Sequence, residues 1–546
     1  MLKRYILPLL PVAMIVIALN SAAQNQTDAV PASDLQIVHV LQRLTFGPRP
    51  GDIEAVRKTG LQNWIQSQLH PETIVENPVL EEELKPFASL RMNLIESAKV
   101  NARTVTLDAN TVQIVSKGNA LPLNASDLAA YLSQLSAAQN LQAVSGKVMM
   151  GASQTPETDL KDGKLLRAVY SNRQLEEVLV DFWFNHFNVT AAKGGPFVAH
   201  YEREAIRPYV LGKFKDMLIA TALHPAMLQY LDNKGSIAPE KSQPNGPNMI
   251  FSFASARGLN ENFSRELLEL HTLGVDGGYT QKDIEAAARC FTGWNLVQNA
   301  GSAAARIEPK VAMEFVEWPH DFNDKVILGH TIPGSGADEI YELLDILANH
   351  PSTAKHISKQ LAQRFVSDDP PQSLVDRMAK TFMDTDGDLR EVMTTMLTSP
   401  EFLSEDSRNS KIKSPLELVS STMRALNAEI KDPGPLEQWV ADMGQPLYGK
   451  IEPTGYPNTG ESWLSTTRLL VRLNFASSLT AGRISGVSFD SARWKGKDAA
   501  AIARDILYRE PSSQTIGALQ KGAVIGNVTP AFIGGLILGS PDFQKK

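Results

Sequence analysis

Helical periodicity that never alternates with strands is the strongest constraint on this chain. From Leu165 onward apolar residues recur at i, i+3 and i+4, without the intervening strands that a βαβ protein requires. Leu175, Leu179, Phe182 and His186 form one row of a helix, and Val180, Trp183 and Phe187 crowd its flank. That helix is apolar over most of its circumference, which places it at the centre of a core. A corner phrase recurs at Leu223-His224-Pro225-Ala226-Met227, Thr398-Ser399-Pro400-Glu401-Phe402 and Gly539-Ser540-Pro541-Asp542-Phe543. Proline disfavours helix in the residue before it and suits the first turn of a new one, so each phrase predicts a helix-to-helix corner.

These patterns predict a mainly α fold: one large multi-helix domain over residues 34–546, with a small β-hairpin and a variable insertion at 101–163. The insertion is rich in Asn, Ser, Ala, Gln and Thr, with Val alternation from Thr104 to Val115. Helices are expected over Asp34–Leu44 and from Gly51 to Leu69, and the hairpin pairs Ala312–Val316 with Lys325–Ile332. Ahead of the domain, Lys3 and Arg4 precede an apolar run from Tyr5 to Leu19, followed by Ser21-Ala22-Ala23. This reads as a signal peptide over residues 1–23, followed by a polar lead over 24–33. The run falls short of the roughly 20 residues that cross a bilayer and holds two prolines, and no later stretch is long and apolar enough to span. An exported protein, periplasmic or extracellular, is expected.

Composition narrows the chemistry. The single cysteine, Cys290, excludes an intramolecular disulfide framework and a thiolate metal cluster. With 53 Lys+Arg against 60 Asp+Glu the net charge is −7, which argues against a nucleic-acid partner.

Three segments offer ionisable groups in apolar surroundings. In Asn260–Gly274 a helical projection gives a buried arc of Phe263, Leu267, Leu268, Leu270 and Leu273. His271 lies inside that arc and Glu266 at its margin, so the core-facing side carries a carboxylate and an imidazole. A salt-bridged Glu266 and a carbonyl-bonded His271 would explain the same pattern structurally. The two are five apart and His-Glu-x-x-His is absent, so no metalloprotease helix is indicated. In the second segment Glu177, Asp181, Asn185 and Asn188 form one polar stripe that can line a cleft, while His186 faces the other way, into the core. The third is the turn Trp318-Pro319-His320-Asp321 before Lys325, where His320 and Asp321 suit a general base or metal ligand, or Asp321 simply caps its own backbone. Glu266, His271, His320 and Asp321 are the catalytic candidates; His271, His320, Glu266, His186 and Asp181 are the candidate ligands for a divalent metal ion. His70, His224 and His350 each precede proline and read as helix caps. Asp388 with Glu391 and Thr280 with Asp283 read as helix starts, and Cys290 as a small buried hydrophobe.

Several phrases together resemble a bacterial family catalogued as domain of unknown function number 1800. They are Arg43-Leu44-Thr45-Phe46-Gly47-Pro48, Phe182-Trp183-Phe184-Asn185-His186-Phe187, His224-Pro225-Ala226-Met227-Leu228 with Tyr230-Leu231-Asp232-Asn233, and Asn260 through Gly274. Gly277-Gly278-Tyr279-Thr280, Phe291-Thr292-Gly293-Trp294, His320-Asp321 and Ser399-Pro400-Glu401-Phe402 continue the series. The resemblance implies a single exported domain, often encoded beside a second exported family similar to sulfatases and alkaline phosphatases, and it supplies no catalytic residue. Two readings follow. One is an exported enzyme, a metal-assisted hydrolase of the cell envelope, and the three segments each offering His or carboxylate tilt the sequence towards it. The other is a non-enzymatic helical binding or assembly partner of the co-exported phosphatase- or sulfatase-like protein. The first requires the three clusters to converge in a pocket; the second predicts that each is locally paired and that a broad apolar patch is exposed.

Overall fold

The computed structural model describes residues 34–94, 97, 104–108, 111–116, 119–122, 143–144, 147–148, 155–239, 258–296, 306–308, 313–524 and 529–546. The fold is mainly α. The helices used below are α1 (Asp34–Leu44), α2 (Asp52–Thr59), α3 (Leu61–Leu69), α4 (Pro156–Tyr170), α5 (Gln174–His186), α6 (Phe214–Ala222) and α7 (Pro225–Tyr230). They continue with α8 (Glu261–Glu266), α9 (Gln281–Cys290), α10 (Glu339–Ala348), α11 (Pro351–Phe365), α12 (Pro415–Leu426), α13 (Thr466–Thr480), α14 (Ser513–Val524) and α15 (Pro530–Leu538).

The central helix is α5. Leu175, Leu179, Phe182, Trp183 and Phe187 are buried, and Trp183 continues into an aromatic layer with Phe187 and Phe214. Helices start where the sequence supplies caps. His224, Ser399 and His350 cap helices that begin at Pro225, Pro400 and Pro351, and a further helix begins at Pro541. Thr280 with Asp283 and Ser414 with Glu417 form reciprocal capping boxes, while Asp388 accepts from the N–H groups of Arg390 and Glu391. Each cap satisfies backbone donors that the first helical turn leaves without a partner. Cys290 is fully buried at the end of α9.

Helix α1 is held by residues far along the chain. The His39 Nε2–H donates to the Phe402 carbonyl at 2.8 Å, Arg43 donates to Ser410 Oγ at 2.9 Å and to the Ser407 carbonyl, and Arg424 donates to the Gly47 carbonyl.

Four expectations are corrected. The helix expected from Gly51 to Leu69 is two, α2 and α3, broken at Gly60, whose φ of 86° and ψ of 136° leave the helical region. The hairpin partners differ. Strand Met313–Phe315 pairs with Trp294–Leu296 and Arg306–Glu308, and Lys325–Ile327 pairs with His330–Ile332 through Leu328 and Gly329, both at positive φ. That two-residue turn twists with the strands, and it closes Lys325 onto its near neighbour before the distant strand can compete. Within 101–163, strands from Thr104 to Val148 form a five-stranded antiparallel sheet, but from Pro156 the segment already belongs to α4, which packs on α5 and α12. Finally, the helix through Asn260–Gly274 is α-helical only to Glu266 and becomes a π-helix over Leu267–Thr272. Leu273 N–H donates to the carbonyl of Leu268, five residues back, at 2.8 Å, and Thr272 Oγ1 donates to that of Leu267 at 2.7 Å.

Candidate functional site

The polar stripe of α5 meets a buried charge network on one side and a docked loop on the other. Glu177 takes a two-pronged contact from Arg207, at 2.6 and 2.9 Å. Asp181 stands between Lys164 at 3.4 Å and Arg364 at 3.2 Å. Lys164 also reaches Glu202 at 3.3 Å, and Glu202 accepts from the Tyr448 hydroxyl at 2.6 Å. Burial alone would push the Lys164 ammonium down, but the Glu202 and Asp181 carboxylates outweigh it and hold it above the ordinary lysine value. Burial pushes the Glu202 carboxyl up, and Lys164 with Arg207 reverses this to a net lowering. Arg364 extends the network to Glu417 at 3.0 Å, which also receives Lys546.

Further along the stripe the amides grip the loop that precedes α13. Asn185 Nδ2 donates to the Tyr456 carbonyl at 2.8 Å and its Oδ1 accepts from Tyr456 N–H at 2.6 Å. Asn188 Nδ2 donates to the carbonyls of Lys450 at 3.1 Å and Glu452 at 2.9 Å. Gly455, at φ 66°, crosses so close that a Cβ there would stand 2.2 Å from the Asn185 carbonyl, so only glycine fits. Asp181, Asn185, Asn188, Arg364, Tyr448 and Trp463 line a cleft of about 40 Å³, room for a few waters only. The stripe lines a cleft as its spacing predicts, but its polar atoms are spent on holding the fold.

The second cluster sits at the π-helix. A helix end leaves carbonyls without partners, and two imidazoles fill the role: His186 Nε2–H donates to the His271 carbonyl at 3.1 Å and His356 Nε2–H to the Leu270 carbonyl at 3.2 Å. His271 is buried and packs its ring on Phe187, with centroids 5.2 Å apart. Burial drives its pKa down to about 3, with His356 adding to the effect, and its Nε2 has no partner among the described residues. Glu266, the last residue of α8, is half-buried, at the margin of the buried arc. Its carboxyl is pushed up by burial and by Glu269.

The third cluster is separate. His320 Nδ1 faces the Thr292 carbonyl at 2.8 Å and its Nε2 faces Glu339 Oε1 at 3.0 Å. Lys325, fully buried, pairs with the same Glu339 and donates to the Asp321 carbonyl. Asp321 is held by Arg289 at 2.5 and 3.2 Å and caps Asn323 N–H at 2.9 Å. Despite the opposing effect of burial, these contacts bring the Asp321 carboxyl down to about 2.

The structure therefore brings His186 and His271 together, with His356 as an unanticipated third ring, whereas Asp181, Glu266 and the His320–Asp321 pair lie in other surroundings. Two of the three imidazoles direct an Nε2–H at a backbone carbonyl. Among the described residues no three His, Cys, Asp or Glu side chains are placed to hold a metal ion. The network residues Lys164, Glu202, Arg364, Glu417 and Tyr448 carried no sequence signal, since a lone charge on a helix ordinarily reads as a solvated face.

A different surface stands out near the C-terminus. Leu469, Leu470 and Leu473 on α13 are 40%, 57% and 50% exposed. Leu473 lies over Gly539, where a Cβ would meet its Cδ2 at 2.7 Å, and Leu536 and Phe532 of α15 similarly lie over Gly522 of α14. Phe532 on α15 and Ile516 on α14 are also exposed, at 45% and 39%. Among the described residues no helix is long and apolar enough to cross a membrane.

Neither the curated proteins nor the solved structures contain a match to this chain. A family model described as "Protein of unknown function (DUF1800)" matches residues 39–545, nearly the whole chain and all three clusters. The resemblance carried by the Phe182–Phe187 and Asn260–Gly274 phrases thus extends over the full helical body, and the chain belongs to the DUF1800 family.

Proposed function

We propose that this protein is a non-enzymatic helical binding and assembly protein of the cell envelope, which docks a co-exported phosphatase- or sulfatase-like protein on the apolar face of α13 and α15. The observation that carries this reading is the exposed row Leu469, Leu470 and Leu473 on α13, beside α15 with its exposed Phe532. Contiguous apolar patches of this kind mark sites of protein association. A second observation supports it: Asp181, His320 and Asp321 are each paired with local partners. A metal-assisted hydrolase would need some of these groups free and convergent, and the described residues offer no such set. Export follows from the N-terminal sequence pattern, and the partner from the family resemblance.

The test mixes the purified mature chain with the exported phosphatase- or sulfatase-like protein encoded beside it and follows sedimentation velocity. A complex is expected for the wild type, weakened at least tenfold by Leu470→Glu with Leu473→Glu, at an unchanged melting temperature because both side chains face solvent. If the wild type sediments unchanged in the mixture, the reading is wrong. Self-association abolished by the same pair would make a second copy the occupant and would overturn the named partner.

A further inference from the structure

Away from the three clusters, the π-helix Tyr201–Ile206, α6 and α10 border an open cleft of about 770 Å³, within the range of small-molecule sites. Ala205, Ile219, Ala220 and Leu223 give it an apolar floor, and Tyr209 and Tyr341 contribute aromatic rings. Its charged lining is acidic: Glu204 and Asp216 with no Lys or Arg. Glu204 is engaged by Arg203 at 2.6 Å, whereas Asp216 has no counter-ion among the described residues. Both carboxylates, together with burial, raise the Tyr209 phenol, so they act on the same ring.

The cleft also has one donor whose proton is fixed by hydrogen bonding. Ala226 N–H donates to His224 Nδ1 at 3.1 Å, the helix cap of α7. With that lone pair occupied, the His224 proton sits on Nε2, which faces His200 Nδ1 at 3.0 Å. His200 Nδ1 must accept, so its own proton is on Nε2. Burial, with Arg203 second, lowers the His200 pKa to about 4, which keeps this tautomer neutral at physiological pH. His200 is 7% exposed, it borders the cleft, and its Nε2–H has no acceptor among the described residues.

We infer that this cleft binds an organic cation that carries an oxygen acceptor, with Asp216, Glu204 and the tyrosine faces taking the ammonium group and His200 Nε2–H donating to the oxygen. This site is independent of the α13–α15 face and stands or falls without it.

Isothermal titration calorimetry on the mature chain with choline, its uncharged carbon isostere 3,3-dimethyl-1-butanol and the oxygen-free tetramethylammonium ion tests both halves. Choline is expected to bind at least tenfold more tightly than the isostere and several-fold more tightly than tetramethylammonium. Asp216→Asn should cost about tenfold, and Ala220→Trp, which fills the cleft, should abolish the heat at an unchanged melting temperature. Equal binding of choline and the isostere, or no binding of either, overturns the proposal. Equal binding of choline and tetramethylammonium overturns the role of His200. These comparisons use the wild type, so a variant that fails to fold does not protect the idea.

Discussion

Asp181 and Asp321 show how far a carboxylate's meaning depends on distant residues. Each is buried with cations beside it: Lys164 and Arg364 for one, Arg289 for the other. Because the folded pKa of Asp321 is about 2 against about 3.9 in an unfolded chain, its pairing contributes stability that is complete above pH 4 and is lost as pH falls from about 4 to about 2. Asp321→Asn should lower the unfolding free energy by about 2 kcal/mol at pH 7, with the difference from wild type shrinking towards pH 2. Urea melts at both pH values check this; a difference independent of pH would contradict it. The position of Asp181 on a cleft-lining stripe was legible from spacing alone. Its partners were not, because Arg364 lies 183 residues away and nothing local marks it. His271 was legible as buried and Glu266 as marginal, but the π-helix that begins right after Glu266 was not, since an α-to-π switch has no signature in the apolar period.

Caps and prolines wrote most helix starts into the sequence, and the corners at Pro225, Pro400 and Pro541 form as their local chemistry requires. Strand pairing was less legible. Leu328 adopts φ 51° in the turn, a conformation that leucine rarely takes, so the usual Asn-Gly or Asp-Gly signal for a two-residue hairpin was missing. The loop over residues 444–463 is a clearer case of element-level dependence, since its attachment rests on Asn185, Asn188 and the closeness of Gly455. Gly455→Ala should push the loop off α5, costing about 2 kcal/mol and accelerating tryptic cleavage at Lys450. Limited proteolysis followed by mass spectrometry measures this; unchanged protection at Lys450 would show that the loop is held elsewhere.

At the scale of the molecule, the charge network joins segments that no helical period connects. Glu417 on α12 receives Arg364 from α11 and Lys546, and these cations hold its carboxyl well below the ordinary range against the opposing effect of burial. Lys546→Met removes one of the two cations and should destabilise the fold by about 2 kcal/mol in a thermal or urea melt at pH 7, while Arg364 keeps Glu417 paired. Among the described residues one hydrophobic core cluster runs from Ile37 to Phe543. The attachment of α1 to the Phe402–Arg424 region has a kinetic consequence. His39 bonds a carbonyl 363 positions later, so the contact order is high and the loop closed by that bond is very long. The first helix, which also packs on α2 and α5, therefore gains this anchor only once the chain as far as Phe402 is available. Refolding from urea should be slow, and amides of α1 should gain deuterium protection after those of α5.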